Sequence, residues 1–563
     1  MRGDENVKRH CCVLLLGFTL YLCAASSIPF SIDMAQRVDD ALFINLGRAI
    51  ANGHWLGHYN QATLVKGPVY PVFLALASLT GLPFNIVQFV VYFLCCWYFA
   101  RVLATVCGRT AWFETGAFVV LLLSPRLYMV DRVLRDVLYA SLTILLFAMI
   151  IDLLFIQRTG RRTLLLGVGT GVVGAAYWLT REEGLWIVPS LAVLIAGALL
   201  KIEAPTIKER AAHLVRPLSA VVAGAAVVVL TIGGLNWSHY GRFVTVEMTD
   251  STFQRAMADL QRVGSTFEEP YLPVPRAARA LIYKQSPLFA ELRDYLEPLP
   301  GASTFSCPQW KNTCGDISGA GFVWDLRSAV DRAGVAHSAS QAARFYHGIA
   351  KDIEAACRAG RLPCAGWQPP LIPPVTREQW QMFPATLGRA VLLAATPSVR
   401  TSRPTSYLAT DDSADALAFL NHPFATPDSP TLKMIDWPPA ETMHRNWVRS
   451  VWLQILDLAA HIDQVVLIAG FASFVLTLVL AWRGFTGPTG IVVVALFMAM
   501  AARLIIITLV EISSFPAVQP DHVLPADALA LAASLLSIHM MLSAVRPFFG
   551  RSDDSPDAGF SQS

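Results

Sequence analysis

The sequence predicts an α-helical polytopic membrane protein with about ten transmembrane helices and a large soluble insert. Of its 563 residues, 54% are hydrophobic and only 15% are charged, and the mean hydropathy is +0.47. A soluble globular chain usually has about a quarter charged residues. The apolar residues also lie in long blocks, which a soluble core does not require, so the composition favours a membrane protein.

The apolar blocks have the length that a bilayer crossing needs. A helix must supply roughly 20 apolar residues, because its backbone polar groups find no water in the hydrocarbon core. The ten candidate spans are about 11–30, 84–106, 111–128, 137–157, 163–180, 184–200, 217–236, 463–483, 489–510 and 526–545. The apolar stretch 69–82 is predicted to be a re-entrant or interfacial helix, with an eleventh span as the alternative.

Basic residues in short loops predict the orientation of the chain in the membrane, because short loops that are rich in Lys and Arg remain in the cytoplasm. With ten spans, the basic clusters of the N-terminus, of 158–162, of 201–216 and of 546–551 all fall on one side. We therefore predict a cytoplasmic N-terminus and an uncleaved first span, with a cleaved signal peptide as the alternative. The formal net charge of +3 gives no indication of a nucleic-acid partner.

This topology divides the chain into four parts. We predict an N-terminal transmembrane module at 1–236, whose first external loop covers 31–83, and C-terminal transmembrane helices at 463–545. Residues 546–563 are predicted to form a disordered cytoplasmic tail, and 237–462 an external soluble insert. The insert is rich in Pro, Trp and charged residues, and about 225 residues suffice for a folded domain.

Four cysteines of the insert occur in two pairs with the same spacing. Cys307 and Cys314 are seven residues apart, and so are Cys357 and Cys364. Outside the cytoplasm, four cysteines in one domain indicate two disulfides, although spacing does not give their connectivity. A metal site is the alternative, and the lack of a paired CxxC motif disfavours it.

The first external loop contains the strongest candidates for chemistry. Asp39 and Asp40 precede a segment, 40–52, whose apolar residues share one helical face and predict an amphipathic helix on the membrane surface. Two adjacent carboxylates directly outside a span are well placed for general-base or metal chemistry. The alternative for one of them is a simple N-cap. Downstream, Lys66 is a candidate phosphate anchor or, alternatively, a lysine that extends to the interface.

These features resemble the first external loop of the GT-C glycosyltransferases. The resemblance rests on the acidic pair, the interfacial helix, the Gly53-His54-Trp55 turn and Lys66-Gly67-Pro68. These are polytopic enzymes that use polyprenyl-phosphate sugars. The most similar branches are the protein O-mannosyltransferase-like enzymes and the lipid A aminoarabinose transferase. Their usual motifs have Asp-Glu and Lys-Pro-Pro at the two places where this chain differs.

The resemblance covers about 10–240 and loosely the last three spans, and it implies further site residues. It points to Asp136 as an acidic residue at the mouth of the fourth span, with Asp131 as the alternative. Arg135 and Arg181 are then candidates for the donor phosphate, and a salt bridge to a neighbouring glutamate is the alternative for Arg181. For the acidic pair we name both members: Asp40 is slightly preferred, although the resemblance itself points to Asp39.

The function that the resemblance implies is that of an inverting membrane glycosyltransferase of the cell envelope. It would transfer a sugar from a polyprenyl-phosphate donor to a lipid, glycan or protein acceptor, at the periplasmic face of a bacterial inner membrane. A divalent metal is possible, but the sequence offers no ligand set. The alternatives are an oligosaccharide ligase or polymerase, and a transporter or lipid-carrier flippase. The predicted spans are mostly free of charge, which disfavours transport.

The cysteine pattern and the topology make a joint prediction. Mass-tagging of thiols in unreduced membranes should leave Cys307, Cys314, Cys357 and Cys364 unlabelled, because disulfides protect them, and reduction should expose all four. Ready labelling without reductant would contradict the disulfides. Labelling that occurs only from the cytoplasmic side would contradict the topology.

Overall fold

The fold is described here from a computed structural model of the chain. It describes residues 17–27, 32, 34, 38–108, 111–130, 132–156, 160–202, 206–297, 307, 309–399, 411–421, 439–480 and 487–549. Most of these residues are helical. The helices are α1 (17–25), α2 (Asp40–Ala51), α3 (Val69–Leu79), α4 (Phe84–Val106), α5 (Ala111–Leu122), α6 (Pro125–Tyr128), α7 (Asp136–Phe155), α8 (Arg161–Trp178), α9 (Val188–Lys201), α10 (Ile207–Tyr240), α11 (Ser251–Gly264), α12 (Arg276–Gln285), α13 (Pro287–Ala290), α14 (Arg293–Leu296), α15 (Gly319–Arg332), α16 (Ala339–Arg358), α17 (Arg377–Ala395), α18 (Asp411–Phe419), α19 (Pro439–Leu480), α20 (Pro488–Ser513) and α21 (Pro520–Phe549).

Seven helical segments within the described residues are long and apolar enough to cross a membrane. They are Phe84–Val106, Asp136–Phe155, Gly184–Lys201, Ile207–Tyr240, Trp447–Val479, Pro488–Ser513 and Pro520–Ala544. Each coincides with one of the ten segments that hydropathy predicts. The prediction of an α-helical polytopic membrane protein is therefore confirmed.

The other three predicted spans are not among these seven segments. Only 17–27 of the first segment is described, and α1 occupies 17–25 of it. The segment 111–128 is divided between α5 and α6, because Pro125 starts a new helix and restricts the residue before it. The third, α8, begins with two arginines, which lower its mean hydropathy. The apolar helix α3 has 11 residues, or about 16 Å, and is too short to cross a bilayer alone.

Small residues bring α8 and α10 into close contact. A Cβ atom on Gly171 would overlap the carbonyl oxygen of Val221, and one on Gly224 would overlap that of Val168. Apolar side chains gain little from leaving lipid for another helix, so such helices associate by close backbone packing between small residues. This packing fixes α8 against a long neighbour despite its modest hydropathy.

The insert has its own hydrophobic core. Helices α11 to α16 surround buried residues that include Phe253, Leu260, Phe322 and Ile349. The structure pairs Cys307 with Cys314 and Cys357 with Cys364, so each bridge joins the two cysteines that are seven residues apart. The later part of the insert returns to the membrane helices, since α17 packs on α20 and α19 already begins at Pro439.

Another hydrophobic cluster positions the first loop. The apolar face of α2, including Leu42 and Leu46, packs against Leu74 of α3 and Leu138 of α7. Leu417 of α18, from the insert, closes the cluster. Residues 550–563 of the predicted tail lie outside the described residues, and 546–549 continue α21.

One carboxyl group in the insert is buried without compensation. The side chain of Asp325, on α15, is 2% exposed, and its Oδ2 atom has no hydrogen-bond partner within the described part of the chain. Burial raises the pKa of Asp325 to about 7, although the charge of Arg279 acts in the opposite direction. The folded insert therefore favours the protonated carboxyl.

The raised pKa of Asp325 predicts a pH-dependent stability. Since the folded state holds this proton more tightly, the stabilisation is complete below about pH 4 and is lost as the pH rises through about 7. Each pH unit between the two pKa values corresponds to about 1.4 kcal/mol. Asp325→Asn should therefore raise the unfolding temperature more at about pH 8 than at about pH 5. The exposed residue Asp294 provides the control, Asp294→Asn. Parallel pH profiles for wild type and Asp325→Asn would contradict the assignment.

Candidate active site at the first loop

Asp39 lies at the start of α2 and faces the next part of the same loop. It occupies the N-cap position of α2, but its side chain makes no capping hydrogen bond. Instead its Oδ1 atom accepts a hydrogen bond from Lys66 Nζ at 2.8 Å. The N-cap alternative therefore does not account for this carboxylate.

Lys66 is held in a nearly closed environment. Its side chain is 10% exposed, and Nζ donates to the backbone oxygen of Val38 at 2.6 Å as well as to Asp39. The ammonium lies 4.9 Å from the ring centroid of Phe43 and 5.2 Å from that of Trp324. Aromatic faces attract a desolvated cation. Within the described part of the chain, the ammonium thus has one ion-pair partner and two aromatic neighbours.

The pKa values of the pair follow from burial and charge. Burial by itself raises the pKa of the Asp39 carboxyl, but Lys66, with Arg135 and Arg132, more than offsets this and holds it below its usual range. Burial lowers the pKa of the Lys66 ammonium, and the charge of Asp39 offsets only part of that effect. Asp39 is therefore ionised in this arrangement and is a weak base while the ion pair is intact.

Asp40 has a different environment. It is fully buried, and the guanidinium of Arg132 approaches both of its carboxylate oxygens, at 2.9 Å and 3.3 Å. This bidentate pair joins the start of α2 to the segment that precedes α7. The geometry indicates a structural role for Asp40 and leaves Asp39 as the better candidate for the base.

Gly67 connects the first loop to the segment between α8 and α9. Its backbone nitrogen donates to Glu182 Oε1 at 2.9 Å, and a Cβ atom at this position would overlap the carbonyl oxygen of Leu179. Only glycine permits this approach of the two backbones. Gly67 thereby fixes the position of Lys66 relative to the segment between α8 and α9.

Arg135 is the second cation next to Lys66. It donates from Nη1 to the backbone oxygen of Thr180 at 2.9 Å and to Glu182 Oε2 at 3.2 Å. Its guanidinium lies 5.7 Å from the ring centroid of Phe43, the ring that Lys66 also contacts. The two cations therefore share one aromatic neighbour.

Asp136 and Arg181 are paired with each other in a separate buried group of charges. Arg181 Nη1 donates to Asp136 Oδ1, and Arg181 Nε lies 2.7 Å from Glu183 Oε1. Arg503 of α20 reaches the same Glu183 oxygen at 3.1 Å. The opposing charges, Arg181 first, hold the pKa of Glu183 far below its usual range despite burial. A salt bridge between Arg181 and a neighbouring glutamate was the alternative that the sequence left open.

Several residues of this region were not selected from the sequence. Arg503 could have been selected from the sequence, because a cation inside an apolar span requires a partner. Trp324 could not, since no local sequence pattern links a tryptophan of the insert to the first loop. Asp131 lies outside the described residues. The described residues contain no group of three or more His, Cys, Asp and Glu side chains that could hold a metal ion, so no ligand set can be named.

The contact of Gly67 predicts the effect of a small change. Gly67→Ala should displace the loop, because the new methyl group overlaps the Leu179 carbonyl, and should cost about 1–3 kcal/mol of stability. Thermal unfolding in detergent measures this change. Gly116→Ala is the matched control, since a Cβ atom on Gly116 of α5 meets nothing within 4 Å. Equal unfolding temperatures for wild type and Gly67→Ala would contradict the described packing.

Comparisons with known proteins add little to this geometry. No protein-family model matches the chain, and no curated protein matches it. Among solved structures, the chain is similar to the crystal structure of ArnT from Cupriavidus metallidurans in the apo state. The two share 13% sequence identity, with a TM-score of 0.31, over 97% of this chain and 80% of that chain.

Proposed function

We propose that this chain is a membrane glycosyltransferase that moves a sugar from a polyprenyl-phosphate donor to an acceptor hydroxyl outside the cytoplasm. The observation that supports the proposal most directly is the Lys66–Asp39 pair, in which a nearly buried ammonium has, among the described residues, one carboxylate ion-pair partner at 2.8 Å. A donor phosphate is the type of anion that could replace this carboxylate, and the displaced carboxylate would then be next to the reacting sugar.

The first step is an exchange of anions at Lys66. A phosphate that binds the ammonium takes over the charge interaction that now holds Asp39, as charge-assisted hydrogen bonds of this kind are strong. Arg135 lies beside the same Phe43 ring and can contribute a second cation. Arg181 is already paired with Asp136 and Glu183, so it supports the site through this neighbouring group of charges.

The second step is the transfer. The acceptor oxygen attacks the anomeric carbon, and the bond between this carbon and the phosphate oxygen breaks with inversion. The acceptor proton passes to Asp39, and polyprenyl phosphate leaves with its electron pair stabilised by Lys66. Because Asp39 has by then lost the charge of Lys66 as its nearest partner, its pKa rises from the depressed value and it becomes a better base.

The alternative functions differ from the proposed one either in the donor that they use or in that no sugar is transferred. A ligase or polymerase uses the same chemistry with an oligosaccharide on the carrier, and comparison of the two donor types separates it. The flippase hypothesis has one observation in its favour, because ionisable residues among membrane helices often mark a transport pathway. Arg126 Nη1 forms a buried ion pair with Asp527 Oδ1 at 2.6 Å within the helical core. However, Arg126 also donates to the backbone oxygen of Ala394 at 3.3 Å, which indicates a fixed structural contact and not a transport site.

The roles of the two carboxylates predict a separation of binding from transfer. Asp39→Asn should lower the transfer rate by about a hundredfold to ten-thousandfold, since an amide cannot accept the proton. The same variant should bind the donor at least as tightly as wild type, because it no longer competes for Lys66. Asp40→Asn should mainly lower stability, because it breaks the pair with Arg132. The surface variant Asp294→Asn is the control, since Asp294 is exposed and lies on α14 of the insert.

Variants of Lys66 test the binding of the donor. Lys66→Ala should weaken donor binding roughly 10- to 100-fold, as expected for loss of a hydrogen bond to a charged group. Lys66→Arg should recover part of it, because the charge remains while the geometry changes. Transfer at the wild-type rate by Asp39→Asn would refute the proposed mechanism, in which Asp39 accepts the acceptor proton. Wild-type donor affinity in Lys66→Ala would refute the phosphate anchor.

A further inference from the structure

The insert reaches the first loop through one helix. Trp324 and Arg327 lie three positions apart on α15, so they share one helical face. That face meets the loop between α2 and α3, because Trp324 approaches Lys66 while Arg327 bonds to residues before it. Both contacts join segments that are far apart in the sequence.

Arg327 binds the backbone of the loop. It is 2% exposed and forms an ion pair with Glu247, which is equally buried. Its Nε atom donates to the carbonyl oxygen of Gln61 at 3.0 Å, and Nη2 donates to that of Thr63 at 2.8 Å. A planar guanidinium can hold two carbonyls and a carboxylate at once, which a lysine ammonium cannot do in the same geometry.

Glu247 completes the attachment on the other side. It accepts a hydrogen bond from the hydroxyl of Tyr59 at 2.9 Å, and its backbone nitrogen donates to the carbonyl oxygen of Leu64 at 2.7 Å. Leu64 has a φ of +61°, a left-handed conformation that a leucine rarely adopts. The contacts to the insert lie where the loop needs external support, two residues before Lys66.

Trp324 covers the ammonium from the insert. Its ring centroid lies 5.2 Å from Lys66 Nζ, and the Phe43 ring lies 4.9 Å away. Trp324 itself is only partly buried, so part of its surface remains accessible. A group attached to a phosphate at Lys66 would therefore meet an aromatic surface that the insert provides.

We infer that α15 is part of the donor site: Arg327 is a positioning residue for Lys66, and Trp324 forms the wall that covers the phosphate-binding ammonium. The ligand class, a phosphate that carries an isoprenyl chain and a sugar, rests on the function proposed above. The coupling between α15 and Lys66 does not, because it follows from the contacts alone. The insert thereby acquires a role that its sequence did not indicate.

The experiment measures how accessible Lys66 is. Purified protein is treated with an amine-reactive reagent, and labelling at Lys66 is quantified by peptide mass spectrometry against the exposed Lys351. Trp324→Ala should increase Lys66 labelling several-fold, whereas Trp324→Phe should retain most of the protection. Trp367→Ala is the matched control, since this tryptophan of the insert is 77% exposed.

A double variant tests the positioning role of Arg327 without leaving an unpaired charge in the protein interior. Arg327→Met combined with Glu247→Leu replaces the ion pair with apolar side chains, a change that proteins often tolerate. It should lower the unfolding temperature only modestly, because the carbonyls of Gln61 and Thr63 lose a partner but no charge is left unpaired. Well below that temperature it should increase Lys66 labelling, because the loop is no longer held by Arg327. Undecaprenyl phosphate, used as the probe, should protect Lys66 in wild type and require about tenfold higher concentration in this variant.

The outcomes separate the two proposals. Wild-type labelling of Lys66 in both Trp324→Ala and the double variant would overturn the inference about α15. Increased labelling in these variants, together with no protection of wild-type Lys66 by undecaprenyl phosphate, would support the coupling and refute the donor site. An unchanged concentration dependence of protection in the double variant would overturn the positioning role of Arg327.

Discussion

A buried ammonium group must be neutralised, and the arrangement around Lys66 satisfies this requirement. Its charge is matched by Asp39 and its remaining surface is covered by aromatic rings from α2 and α15. Transfer of an unpaired charge from water into a protein interior is so unfavourable that the surrounding elements must supply a partner. The start of α2 supplies this partner, and α15 supplies part of the aromatic cover.

The same rule orders the neighbouring charges. Asp40 pairs with Arg132, Asp136 pairs with Arg181, and Glu182 accepts hydrogen bonds from Gly67 and Arg135. These pairs join the first loop to the segments before α7 and after α8. The carboxylate that neutralises Lys66 is more accessible than its neighbours, since the Asp39 side chain is 36% exposed whereas those of Asp40, Asp136 and Glu182 are 0%, 8% and 17% exposed. An incoming anion can therefore exchange most easily at Lys66, which is why the proposed function centres on that residue.

Much of the architecture was predictable from the sequence. Seven of the ten predicted spans coincide with apolar helices of sufficient length, and the segment 40–52 forms the predicted helix, Asp40–Ala51. The apolar face of this helix was expected to lie on the membrane, but it packs against other helices of the protein instead. The selection of Asp39, Asp40 and Lys66 as neighbours in the first loop remains a prediction about function, but the structure brings Asp39 and Lys66 into contact. Their pairing, and the different surroundings of the two adjacent aspartates, were not predictable, because both depend on partners such as Arg132 that are distant in the sequence.

The sequence by itself determined which segments are helical and apolar, because the bilayer acts on each segment separately through its length and its hydrogen-bonding requirement. Only the tertiary structure decided which polar and charged groups meet. The hydrogen bonds from Arg327 to the carbonyl oxygens of Gln61 and Thr63, for example, form only when the insert and the first loop fold together. Hydropathy is a property of contiguous residues. Charge pairing and aromatic cover at Lys66 are properties of contacts between residues far apart in the chain, and no local pattern encodes them.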